Sequence, residues 1–385
     1  MILGIDASQA NRKIKSGTEW YAWHLIREFK KLLGGRKDII VRLYTRDALR
    51  ADLAQGLPEN FEVKILSWPF KYFWVQGRLS LEMLFNPPDI LFCPAHTIPL
   101  VHPTKTFTTL HDVGFEDYPE LYDKLSRWYH RWSARLAVKK AYHIFTVSEF
   151  SRERIIENYS CDPAKLSVTY LGLDSRPPIA VEGKLRGNDR EKKGNYILFI
   201  GRLEPKKNIL GIVKGYEMAQ ADLLLVLAGR KVNIKDAEEY LNNRPELKKK
   251  IRFLGYFDEK DKAELLAGAS IFLFPTLYEG FGLPILEAQV AGVPVITSNT
   301  ASNPEIAGEG ALIVDPESPY EISQAIQKLS NDENLRKELV AKGLENVRRF
   351  NWEETAKKTF DVIFADYVIP STEPESRLDA GPSPA

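Results

Sequence analysis

Residues 278–295, YEGFGLPILEAQVAGVPV, decide the fold of this chain. They follow a continuous apolar run, Ile271–Phe274, whose length and β-favouring content read as a buried strand ending at Pro275. Glycines 280 and 282 then let the backbone turn with its amides exposed. Pro284 suits the first position of a helix, because the donor it lacks is one that helix starts leave unpaired anyway. The spacing predicts a helix from Pro284 through Glu287 to Gly292, a good terminator, and a further strand over 293–297. Such a unit aims free amides and the positive end of a helix beyond the strand's C-terminus. That is a place for an anion, phosphate above all.

The two acids of the stretch have different addresses. Glu279 lies in the loop and Glu287 inside the helix, eight residues on, so they do not stack on one helical face and no joint acid–base role is implied. One can face a ligand at the loop while the other faces a second part of it from the helix. Acids placed at a helix start for the sake of its dipole explain them equally well.

Residues 279–287, EGFGLPILE, resemble the E-x7-E signature of the retaining glycosyltransferases of family 4, which have the GT-B fold and include many bacterial mannosyl- and glucosyltransferases. Residues 200–208, IGRLEPKKN, are similar to that family's G-R-x-x-x-x-K-[GN] donor loop, and 288–297, 303–306 and 312–316 to its A-x-x-x-G-x-P-V, x-P-E-[IV] and L-[LIV]-[VF]-x-P run. The resemblance is weak at the N-terminus and strong from about Tyr196 to Pro316; three motifs in the right order make it specific.

The resemblance implies an α/β chain of two facing doubly wound, Rossmann-like domains, with the last helices crossing back to the first. It further implies transfer of a hexose from a nucleoside-diphosphate sugar to an acceptor hydroxyl with retention at the anomeric carbon. Arg202, Lys207 and the backbone of Gly280, Phe281, Gly282 and Leu283 would then stabilise the departing diphosphate, Glu279 the sugar hydroxyls, and Glu287 the ribose. His111 follows a predicted strand, where open α/β sheets place ligands; a strand-end His-Asp is usually just a turn, but the family carries a histidine there beside the donor sugar. Gly17, in the loop after the first strand, would face the same cleft. Lys206 reads as solvent-facing, and His96, in P-A-H-T-I-P, as structural. The segments G-I-D-A, P-A-H-T-I-P-L, T-L-H-D and T-V-S-E-F-S-R-E-R-I look most like mannosyltransferase-type members that build bacterial surface polysaccharides, favouring GDP-mannose over UDP-hexoses. No cofactor or metal is called for, since no Asp-x-Asp pair occurs. A nucleotide-sugar 2-epimerase of the same fold and a non-catalytic nucleotide-sugar-binding protein are the alternatives.

Composition bounds the rest. At 385 residues the chain exceeds one typical core. Lys plus Arg at 53 against Asp plus Glu at 52 gives a net charge of +1, without the basic footprint of a nucleic-acid binder. Cys93 and Cys161 show neither disulfide-framework nor zinc spacing, which fits a reducing cytoplasm. No apolar run is long enough to span a bilayer. A soluble protein at the cytoplasmic side is expected, with the inner membrane face within reach, and no G-x-G-x-x-G follows the first strand as a nicotinamide dehydrogenase would need.

In chain order, strands are expected at 2–5, 39–44, 61–66, 90–92, 106–110 and 143–147, then at 196–200, 223–228, 251–254, 271–274, 293–297 and 311–314. Their alternation with helical segments argues for parallel sheets. The charged stretch 176–195 is the expected linker and 371–385 a disordered tail. Domains are thus expected over 1–178 with about 352–370, and over 190–351. Residues 68–74, WPFKYFW, lack any clean period, so some of these aromatics should stay exposed against a membrane or an acceptor. In 125–140 the aromatics Trp128, Tyr129 and Trp132 read as core beneath a basic face.

Overall fold

The computed structural model describes residues 1–15, 17–70, 72–173, 196–257 and 259–367. The expected linker, the domain boundary within it and the expected tail all lie outside the described residues. Two all-parallel sheets carry the chain. The first runs β3-β2-β1-β4-β5-β6-β7, with β1 Ile2–Asp6, β2 Ile40–Thr45, β3 Phe61–Ile65, β4 Ile90–Cys93, β5 Thr106–Thr109, β6 His143–Thr146 and β7 Leu166–Val168. The second runs β10-β9-β8-β11-β12-β13, with β8 Tyr196–Ile200, β9 Leu224–Ala228, β10 Ile251–Gly255, β11 Ile271–Phe274, β12 Val295–Ser298 and β13 Ala311–Val314. Strand order reverses between β1 and β4 and again between β8 and β11. At such switch points neighbouring crossovers diverge to opposite faces and leave a crevice at the strands' C-terminal ends.

The inner strands of each sheet are buried on both faces, so they read as apolar runs such as Ile197, Leu198 and Phe199 or Ile271, Phe272 and Leu273. Most predicted strands stand within a residue or two of their positions. The strand expected from Val293 starts at Val295 instead: Gly292 terminates the preceding helix at φ 69°, and Pro294 has no amide for the ladder. β7 went unpredicted, three residues at a sheet edge being too short to show a period.

The last helix, Trp352–Ile363, returns to the first sheet as expected. Its start is capped by Asn351, whose side chain accepts from the Glu354 amide. Trp352 stacks on His24 of helix Gly17–Leu33 with ring centroids 4.4 Å apart and planes 3° from parallel. Phe350, Trp352, Ala356, Ile363 and Phe364 all join the core under the first sheet.

Phe70, Tyr72 and Phe73 are each more than 60% exposed, as expected of the aromatic loop, but Trp74 is buried and donates its indole N–H to the Leu66 carbonyl at 2.8 Å. Helix Lys124–Lys140 overturns its expectation. It buries the small residues Ser133, Ala134 and Ala137, and Trp128 is 59% exposed. Close helix packing selects small side chains and turns the large rings outward. Among the described residues no helix is long and apolar enough to cross a membrane.

Candidate active site

Leaving β8, residues 201–208 pass over the switch point of the second sheet. Arg202 is turned onto Glu204, Nη2 to Oε2 2.6 Å, with its side chain 67% exposed. Asn208 takes the left-handed conformation, φ 59°, which asparagine tolerates. Its amide donates to the carbonyls of Pro275 at 3.1 Å and Pro316 at 2.6 Å, pinning this loop to the segments that leave β11 and β13. Lys207 is thereby carried across to Glu279, with which it is ion-paired, both side chains largely shielded.

Lys206 is not solvent-facing. Its side chain is only 22% exposed, its Nζ lies 3.7 Å from Glu204, and the Leu277 amide holds its carbonyl at 2.8 Å. Burial alone would lower its pKa, but the carboxylates of Asp112, Glu279 and Glu204 outweigh it and raise the pKa. Arg202, Lys206 and Lys207 therefore share a compact field with Glu204 and Glu279.

The loop between β11 and helix Leu283–Val290 is held by hydroxyls and amides from 298–303. Ser298 and Thr300 donate to the Thr276 carbonyl at 2.6 and 3.1 Å, and Asn303 donates to the Thr276 and Ser298 hydroxyls at 2.9 and 2.7 Å. Ser302 shares its proton between the carbonyls of Glu279 and Phe281, at 2.9 and 2.8 Å. Gly282 sits at φ 104°, where an L side chain is strained. A Cβ on Gly280 would lie 2.8 Å from Asp112 of the first sheet unit. Among the described residues, none accepts a hydrogen bond from the amides of Gly280, Phe281, Gly282 or Leu283. Glu287 pairs with Lys262 at 2.6 Å in the same neighbourhood.

Across the crevice, β5 delivers His111 and Asp112. The His111 Nε2 lies 3.1 Å from the Pro94 carbonyl. A carbonyl only accepts, so Nε2 carries the proton and Nδ1 is left as an acceptor. Burial lowers the pKa of His111, against the Pro94 hydrogen bond and Asp112, so the ring is neutral at pH 7. His96, 5.1 Å away by ring centroid, is held by burial and by His111 down to about 3, and its φ of 39° is unusual for a residue with a Cβ. Asp112 is raised by burial but lowered further by Lys206, His96 and the Gly114 amide, leaving it a carboxylate. Gly17 opens its helix, and among the described residues nothing beyond its chain neighbours and its own helix backbone comes within 4 Å of where a Cβ would sit.

The structure brings Lys207 and Glu279 into contact and sets Gly280 against Asp112, the residue after His111. It does not join Arg202 to the loop amides, and it buries the Phe281 ring in the first unit's core, so only the backbone of Phe281 can meet a ligand. Sequence reading missed Lys206, Ser148, Ser302, Asn303 and Glu305. Glu305 accepts from the amides of Glu149 at 2.8 Å and Phe150 at 3.2 Å, so a carboxylate of the second unit caps helix Glu149–Tyr159 of the first. The P-E-I motif containing it was the available signal. Chemically, the site offers cations and unpaired amides for a polyanion, with a carboxylate and a neutral imidazole for hydroxyl groups.

Two family models match, "Glycosyltransferase Family 4" over residues 15–176 and "Glycosyl transferases group 1" over residues 182–345. The chain is 34% identical to O-antigen chain mannosyltransferase B of Escherichia coli over 67% of this chain and 69% of the relative. It is 27% identical to O-antigen chain mannosyltransferase RfbU of Salmonella typhimurium over 72% and 74%. In fold it is similar to sucrose-phosphate synthase of Thermosynechococcus elongatus, with a TM-score of 0.70 and 18% identity over 95% of this chain and 99% of that one. The two facing doubly wound units with their returning helix are the GT-B arrangement, and the chain belongs to the group 1, family 4 glycosyltransferases.

Proposed function

We propose that this glycosyltransferase moves mannose from GDP-mannose, with retention, to a hydroxyl of a saccharide or lipid-linked acceptor in surface-polysaccharide synthesis. The observation carrying the reading is the 34% identity to an O-antigen mannosyltransferase over two thirds of both chains. The unit over 190–351 holds the donor, and the unit over 1–178, completed by about 352–370, holds the acceptor.

Lys207, Arg202 and the amides of residues 280–283 receive the diphosphate charge that builds as the anomeric bond breaks. An ammonium has three protons, so Lys207 can keep Glu279 while contacting phosphate. Glu279 and the Nδ1 side of His111 approach sugar hydroxyls from the two units, Gly17 leaves room for the ligand, and Glu287 takes the ribose. Departure is helped by fixed charges already aimed at it, which is electrostatic catalysis.

The test is turnover of GDP-mannose against UDP-glucose, UDP-galactose and UDP-N-acetylglucosamine with a lipid-linked or oligosaccharide acceptor. GDP-mannose should win, because a wrong epimer leaves buried partners unpaired. Preference for any UDP-sugar overturns the donor, and donor loss without an acceptor product overturns transfer. In the same assay activity should survive a chelator, the cations and amides supplying the charge; loss restored by magnesium or manganese refutes that.

Peripheral membrane contact is part of the proposal. Phe70, Tyr72 and Phe73, with Leu125 and Trp128 exposed on helix Lys124–Lys140, form the surface for it, and Phe73 lies 6.2 Å by ring centroid from Tyr129 of that helix. The protein should sediment with anionic vesicles and Phe70→Ser with Phe73→Ser should release it; equal sedimentation of both proteins would rule this surface out.

A further inference from the structure

Three serine hydroxyls hold three successive carbonyls of the 279–282 loop. Ser302 takes those of Glu279 and Phe281, and Ser148, from the first sheet unit, donates to that of Gly280 at 2.7 Å. Ser151 lies 3.2 Å from the same carbonyl and 3.0 Å from the Ser148 hydroxyl. In a trans peptide the carbonyl of one residue and the N–H of the next point in opposite directions. Fixing the carbonyls of 279, 280 and 281 therefore fixes the three peptide planes, and the amides of Gly280, Phe281 and Gly282 each point away from the serine that holds the carbonyl before them. Those are amides that meet no acceptor among the described residues.

Ser148 is itself oriented. It is the N-cap of helix Glu149–Tyr159, and its oxygen accepts from the Ser151 amide at 3.1 Å; of the two acceptors within reach of its proton, the Gly280 carbonyl at 2.7 Å is nearer than the Ser151 hydroxyl at 3.0 Å. Glu305 holds the first turn of that helix onto the second unit, and the Asp112 side chain closes against Gly280. The peptide joining Gly280 to Phe281 thus takes its orientation from across the crevice.

We infer that Ser148, supported by Ser151, is a positioning residue for the donor diphosphate: the first unit aims an amide of the second unit's loop, so donor affinity depends on the two units being docked. This rests on the diphosphate reading above and extends it by making the acceptor-side unit part of the donor site. No bond is made or broken by either serine.

The experiment titrates GDP and, separately, UDP into the full chain by calorimetry, comparing Ser148→Asp and Ser148→Thr with the unaltered protein. Aspartate keeps the N-cap acceptor but has no proton for the Gly280 carbonyl and sets a charge against it; threonine keeps both functions. Ser148→Asp should retain its melting temperature and bind nucleoside diphosphate at least about tenfold more weakly, whereas Ser148→Thr should bind like the unaltered protein. In turnover, Ser148→Asp should raise KM for the donor more than it lowers kcat. Unchanged affinity in Ser148→Asp overturns the inference while leaving the diphosphate site standing. Failure of the unaltered protein to bind either nucleotide overturns both. If aspartate destabilises the fold, Ser151→Ala, which leaves the Ser148 cap in place, should weaken binding several-fold with the melting temperature kept; unchanged affinity there overturns the inference as well.

Discussion

Lys207→Met should lower turnover by about two to three orders of magnitude, the loss seen when one fixed donor to a developing negative charge is removed. Methionine keeps most of the side chain's volume and none of its charge. Lys207 is the cation that the structure withdraws furthest from solvent at this site, its side chain 12% exposed, and a charge there is weakly screened. The same substitution strips Glu279 of its partner, a cost in stability on the order of 1–3 kcal/mol. Melting temperature and kcat are therefore measured together, and again with Glu279→Gln added. Restored stability with turnover still well below that of Glu279→Gln alone identifies the catalytic share of Lys207, because the amide no longer needs a cation whereas the leaving group still does. Arg202→Ala should cost turnover too and hardly touch stability, its guanidinium being largely in solvent. Near-normal turnover in both single variants would mean that the diphosphate lies elsewhere.

Phe281→Ala is expected to cost about 3–5 kcal/mol of folding stability, the range for deleting a buried aromatic ring. Phe281 belongs to the donor-loop motif, but the residue is only 5% exposed and its ring sits in the first unit's core, with centroids 6.3 Å from Tyr170 and 5.8 Å from Phe350. Chemical denaturation reads the loss. Phe281→Leu should recover most of it, since volume is what the site requires. A loss below about 1 kcal/mol for the alanine variant would show that the ring packs against nothing that matters to folding and return it to the ligand.

Much of the architecture was legible because parallel strands buried on both faces leave unbroken apolar runs, and because glycine and proline punctuate them. Ile271–Phe274 and the helix that Gly292 ends followed directly from those signals. The motif residues Lys207 and Glu279 were legible as candidates, although their pairing was not, since it depends on how Asn208 ties two loops together. Ser148, Ser302 and Glu305 were invisible for a related reason. A serine or glutamate acting through its hydrogen bond to a distant backbone has no spacing rule, and only the folded chain brings residue 148 to residue 280. Lys206 was misread because adjacent lysines look alike in sequence, whereas the fold surrounds one of them with three carboxylates. The aromatics of helix Lys124–Lys140 misled because ring size suggests burial while close packing selects serine and alanine.

The stacking of Trp352 on His24 joins residues more than three hundred positions apart, which bears on how the protein is made. A chain leaving the ribosome completes all seven strands of its first sheet long before Phe350, Trp352 and Phe364 emerge. Until then the helix Gly17–Leu33 bears an apolar face with no cover, including the side of Tyr21 whose ring lies 6.1 Å from that of Trp352. Contacts this remote in sequence are slow to form, and their absence leaves surface on which nascent chains adhere to one another. The half of the molecule synthesised first is the half finished last.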